Sequence, residues 1–164
     1  MVSAGRSLWY TVAALSAFAC ADDHYRWATL PPAQCGVLTR DDVAVILPGS
    51  ERTGSLLQEV NAWSLHCDWY TDAATLTLNL NGARTADAES ALWKNAVALG
   101  ADATSSPLSL GDSAAYFENA ETDVHVLIVK RGPYVMDLST HAFDPAPSQE
   151  QVVALAQLVL AELL

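Results

Sequence analysis

Apolar and polar side chains alternate most cleanly over residues 75–81, where Leu76, Leu78 and Leu80 interleave with Thr77, Asn79 and Asn81. Period two with one polar side predicts a strand with a buried face and a wet face. Residues 64–70 predict its partner across a turn at Thr71-Asp72-Ala73-Ala74. Leu65, Cys67 and Trp69 fall on one side of that strand, His66, Asp68 and Tyr70 on the other. The period then changes. Ala88, Ala91, Leu92, Ala96 and Leu99 recur at three- and four-residue steps, predicting a helix over 86–99 that opens at Thr85 and stops at Gly100. A shorter helix is expected over 40–47, capped by Thr39 and ended by Pro48-Gly49. Residues 50–54 and 101–112 read as loops, the second rich in Ser, Gly and Pro. Residues 114–118, 124–130 and 134–142 read as strands separated by turns at 119–123 and Gly132-Pro133. Ser148-x-x-Gln151 is a capping box opening a last helix with the stripe Val152, Val153, Leu155, Ala156, Val159, Leu160 and Leu163.

The order is α-β-β-α-β-β-β-α. Strands that come in hairpin-linked runs indicate an α+β domain. The expectation is about five strands in a mainly antiparallel sheet, with the two long helices on one face and the other face partly open. No repeat or second domain is evident.

Composition narrows the function. Of 164 residues 51% are hydrophobic and 16% charged, which is too apolar for a disordered chain. Eight Lys and Arg against 19 Asp and Glu give a net charge of −11. Such a balance excludes a nucleic-acid binder and electrostatic docking on an anionic membrane.

The N-terminus reads as an address. Arg6 precedes an uncharged apolar stretch over 7–19, and Ala17-Phe18-Ala19 is a small-x-small cleavage signal followed by Asp22-Asp23. That is the layout of a bacterial secretory signal peptide over 1–19, with a buried N-terminal helix as the rival. Cys20 follows directly, as in bacterial lipoproteins that are acylated at that cysteine. The match to a lipobox is imperfect: Ala17 stands where Leu is usual, and Phe18 is bulky. Lipid on Cys20 would hold the chain on the outer face of the membrane; ordinary cleavage would leave it secreted. Residues 20–34, polar and containing Pro31-Pro32, read as a tether to a single domain over 35–164. Without Arg6, 7 cations against 19 acids leave the remainder at −12.

There are three cysteines, and an odd one in an exported chain needs a reason. With Cys20 lipidated, Cys35 and Cys67 are left as a pair, expected to form a disulfide in an oxidising compartment; two buried thiols are the alternative. Zinc or redox chemistry lacks the usual C-x-x-C spacing.

Cys35 opens C-G-V-L-T-R-D-D-V, Cys67 stands in C-D-W, and Leu110-Gly111-Asp112-Ser113-Ala114-Ala115-Tyr116 precedes the later strands. Over about residues 33–164 this ordered set resembles the small secreted actinobacterial lipoproteins grouped as a domain of unknown function. The resemblance implies envelope location, pairing of the two cysteines and a sheet-and-helix fold, and no general activity.

Candidate chemistry gathers on the wet face: His66, Asp68, Tyr70, Asn79 and Asn81, with Thr77 beside them. His125 and either Asp137 or His141 are placed to join from later strands. Three His and an Asp on one face are transition-metal ligand types, but no tight ligand motif is present, and solvated or partly buried histidines are the simpler reading. No G-x-S-x-G, H-E-x-x-H or phosphate loop occurs. Asp41-Asp42 suit a helix N-terminus, and Gly111-Asp112 a turn whose carboxylate bonds local backbone. The expectation is a non-catalytic envelope lipoprotein without cofactor or metal, binding an envelope protein or a small apolar ligand. Aromatics such as Tyr70, Tyr116 and Trp93 would line a ligand cleft. The alternatives are an accessory subunit of a membrane complex, and a metal carrier or hydrolase built on His66, His125 and His141.

Overall fold

A computed structural model of the protein describes residue 28 and residues 35–98, 104–119 and 123–163. The proposed signal peptide, and the tether apart from Ala28, lie outside the described residues. The elements are α1 (Arg40–Ala44), β1 (Glu51–Gln58), β2 (Ala62–Tyr70), β3 (Thr75–Ala83), α2 (Ala86–Ala98), β4 (Thr104–Leu108), β5 (Ser113–Asn119), β6 (Val124–Arg131), β7 (Tyr134–His141) and α3 (Gln149–Glu162).

The seven strands form one antiparallel sheet in the order β1-β2-β3-β7-β6-β5-β4. Two meanders, β1-β2-β3 and β4-β5-β6-β7, meet where β7 pairs with β3. The class is α+β as expected, but seven strands replace five, and the order is α-β-β-β-α-β-β-β-β-α. Both additional strands are edges. β1 takes in part of the expected loop 50–54 and is exposed at all eight positions, so no buried stripe marks it. β4 falls within the expected loop 101–112 and carries Pro107, a residue suited to an edge because it has no N–H to donate.

The helices also divide differently from expectation. The core face of the sheet carries Trp63, Leu65, Cys67 and Trp69 from β2, Leu76, Leu78 and Leu80 from β3, and Met136 and Leu138 from β7. α3 covers it with Val152, Leu155, Ala156, Val159 and Leu160, joined by Val43 of α1 and Leu47. α2 lies on the opposite face, where Leu92, Trp93 and Ala96 pack on Phe117, Ile128 and Val135. Strands β6 and β7 bear apolar residues on both sides, Leu127 and Val129 with Ile128, and Met136 and Leu138 with Val135. A strand without alternation is one covered twice, so the second cover belongs to α2. Lys130 of β6 pairs with Glu89 in the first turn of α2.

The expected capping box at Ser148 forms, and the Thr39 cap proves to be a second one. Thr39 accepts from the Asp42 amide while Asp42 accepts from the Thr39 amide, and Ser148 and Gln151 do the same for α3. The first helix ends at Ala44, shorter than the expected 40–47.

Two glycines are demanded by neighbours. A Cβ on Gly82 would enter the Trp63 indole across the β2–β3 pair, and one on Gly54 would enter the Cys35 sulfur. The second clash arises because Cys35 and Cys67 are joined, with Cα atoms 5.8 Å apart, and Gly54 pairs with Cys67. The link therefore crosses the edge strand on the core face. It fastens the segment before α1 to the second strand.

Candidate functional site

Side chains two apart on a strand share a face, and the register of β2, β3 and β7 lines the polar ones up. His66 is opposite Asn79, and Asn79 opposite Asp137; Asp68 is opposite Thr77, and Ser64 opposite Asn81. The five expected face residues, His66, Asp68, Tyr70, Asn79 and Asn81, thus stand on one side of the sheet. Thr75, Thr77, Ser139 and His141 extend the surface.

A hydrogen-bonded chain crosses the three strands. His66 Nδ1 lies 2.6 Å from Asn79 Oδ1, and His66 Nε2 lies 2.9 Å from Asp68 Oδ2. The Asn79 amide donates through Nδ2 to Asp137 Oδ1 at 2.8 Å. The Thr77 hydroxyl donates to the other Asp68 oxygen at 2.7 Å. Both ring nitrogens of His66 face oxygens, an arrangement that suits the imidazolium, which donates from both. The Asn79 hydrogen bond raises the His66 pKa above its ordinary 6.5, helped by the hydrogen bond and charge of Asp68 and the charge of Asp137; partial burial opposes them. Asp137 is only 6% exposed. Burial raises its carboxyl pKa, and the Asn79 hydrogen bond and the His66 charge offset part of that rise.

The chain runs from covered to open ground. Asp137 is buried, while the His66 side chain is 44% exposed. At the open margin the Tyr70 hydroxyl donates to Glu51 Oε2 at 3.1 Å, linking the ladder to the edge strand. Asn81 donates to the Val135 carbonyl at 3.4 Å. These groups largely satisfy one another. What the surface offers a ligand is a preorganised polar plane, with His66, Asp68 and Tyr70 accessible.

Two expected members do not join. His125 pairs with Thr140 and lies on the core face, where its Nδ1 is 2.9 Å from the Tyr116 hydroxyl and its ring is near Glu118 and Asp123. Its position in the strand, opposite in parity to Ile128, puts it there. Tyr116 is likewise on the core face and buried, with a pKa pushed up to about 12, mainly by burial and then by the Glu118 carboxylate. Tyr70, Tyr116 and Trp93 therefore form no common cleft: Tyr116 has the sheet between it and the other two. His66, His125 and His141 are divided in the same way, which removes the three-histidine site. Among the described residues no group of three His, Cys, Asp or Glu side chains is placed to hold a metal ion. Asp137 and His141 both lie on the ladder face, and His141 Nε2 is 3.3 Å from Ser139 Oγ. Asp112 differs in detail from the local turn expected: its carboxylate accepts from Gly132 N at 2.6 Å, across the β5–β6 pair.

Sequence reasoning missed a cavity of about 420 Å³ between α1 and α3, with Val45, Ile46, Ala154, Leu155 and Leu158 on its walls. A second, of about 430 Å³, shares Val45, Ile46 and Gln151 with it and continues under Phe143 and the 142–147 loop. Leu158 is the available signal, an apolar residue off the stripe that α3 buries. No protein-family model matches the chain, and no curated protein matches it.

Proposed function

We propose that this chain is a non-catalytic binding module of the cell envelope, held at the membrane through lipid on Cys20 and presenting the open part of its ladder face to a partner. The observation that carries the reading is the uneven cover on that face. α2 packs on Phe117, Ile128 and Val135, while His66, Asp68 and Tyr70 on β2 stay accessible beside an edge strand exposed along its whole length. A plane of satisfied, fixed polar groups recognises a surface with little ordering cost. The resemblance to small secreted lipoproteins, and the disulfide that an oxidising compartment permits, support the envelope setting.

Photocrosslinking in the native envelope tests the binding face. A photoreactive residue at Tyr70 is expected to give a discrete adduct, and one at Val97, on exposed α2 surface, none. No adduct from Tyr70, or the same adducts from both sites, would contradict the assignment.

A further inference from the structure

The groove between α1 and α3 lies on the core side of the sheet, away from the ladder face, and stands independently of the function proposed above. Its floor is apolar although water reaches it. Val45 is 72% exposed and Leu158 43% exposed, and with Ile46, Ala154 and Leu155 they wall a cavity of about 420 Å³. A contiguous exposed apolar patch rimmed by polar residues marks an interaction site, where apolar residues scattered singly would not. The rim is charged in one sense. Asp41 and Asp42 border it from α1 and Glu150 from α3, and among the described residues no Lys or Arg lines it. The adjoining cavity adds Asp144 and, among the described residues, again no cation. Arg40 precedes the acids without lining either cavity.

Helix-start acids have a local role, stabilising the dipole, and Asp42 also closes a capping box. Neither role calls for apolar side chains to be left open between the two rims. The pairing of a hydrophobic trough with carboxylates on both banks is complementary to a helix with leucine-like residues on one face and cations beside them, the helix-in-groove mode of recognition. We infer that the α1–α3 groove docks a basic amphipathic helix of a partner protein.

A peptide of about 18 residues, leucines on one helical face and lysines on the other, is the probe. Fluorescence anisotropy reads its binding to the oxidised protein, with a leucine–glutamate peptide of the same pattern and a scrambled leucine–lysine peptide as controls. The patterned cationic peptide is expected to bind and both controls to bind at least about tenfold more weakly, the difference that roughly 1.4 kcal/mol makes. Ala154→Phe, which fills the groove from an exposed position, is expected to abolish binding with an unchanged melting curve. Asp41→Asn and Glu150→Gln should each weaken it about two- to fivefold, as loss of a rim charge does. Glu59→Gln and Asp87→Asn, exposed acids away from both cavities, should leave it as it was. Equal losses at all four acids would mean attraction to the net negative charge alone and would overturn the proposal. So would binding that survives Ala154→Phe, failure of the patterned peptide to bind, or sedimentation showing that a second copy of the chain fills the groove.

Discussion

Replacing Cys35 and Cys67 together by alanine tests what the disulfide holds. The residues are 32 apart in sequence and both are buried. On the chain-entropy model, closing a loop of that length removes about 3–4 kcal/mol of freedom from the unfolded chain. Lost packing of two buried sulfurs adds to this, so about 3–5 kcal/mol is expected. For a domain of this size each kcal/mol moves the melting temperature by about 3–4 °C, giving a fall of about 10–20 °C. The loop contains α1 and β1, and the bridge crosses β1 at Gly54. Local unfolding should therefore start there: amide exchange of β1 should accelerate more than that of β6, which has neighbours on both sides. The assays are thermal melting and hydrogen exchange of the variant against the oxidised wild type, each with and without reductant. A fall of less than about 5 °C, or uniform acceleration across the sheet, would refute the view that this link pins the edge of the fold.

Gly54→Ala should destabilise the oxidised protein by about 1–3 kcal/mol, because its Cβ meets both the Cys35 sulfur and the His66 carbonyl oxygen; a Cys35→Ala background should recover the part due to the sulfur and leave the part due to the carbonyl, as a double-mutant cycle on melting curves would show. Thr140→Val should stabilise by about 1 kcal/mol, since the Thr140 hydroxyl is buried without a partner; denaturant titration reads it, and a loss of stability would point to a partner for that oxygen. The pH dependence follows from His66. Its folded pKa lies above 6.5, so the folded chain holds the proton more tightly; the stabilisation is complete below 6.5 and is lost as pH rises through the raised value. Asp137, also raised, contributes a loss of the same sign beginning near 3.8. Melting temperature should thus fall as pH rises above 6.5, and His66→Gln should flatten that part of the profile; a profile that rises, or one unchanged by the substitution, would contradict the ladder assignment.

The elements that sequence patterning reads well are those whose two sides differ. Residues 75–81 alternate leucine with polar residues because β3 is buried on one face only, and both its span and its polar side follow from that contrast. β1 escapes the same reading because every one of its side chains is exposed, and β4 because a proline interrupts a short polar run. Edge strands carry the least pattern for that reason. The side occupied by α2 is written in Val126, Leu127, Ile128 and Val129, a run without alternation that signals cover on both faces. Within the candidate site, same-strand neighbours such as His66 and Asp68 are legible from parity. Their partners are not, because the pairing of Asn79 with Asp137, 58 residues away, depends on which strands become neighbours. His125 illustrates the limit: one step in parity places it across the sheet from His66.

We propose a folded, disulfide-linked domain held to the envelope through Cys20. Intact mass of the protein recovered from native membranes, with and without reductant before alkylation, tests it most directly. The predicted result is a diacylglyceryl-modified chain beginning at Cys20 that takes up no alkylating agent until Cys35–Cys67 is reduced. An unmodified soluble chain would contradict the anchor and leave Cys20 as a free thiol or an intermolecular link; a chain still beginning at Met1 would contradict export by cleavage altogether.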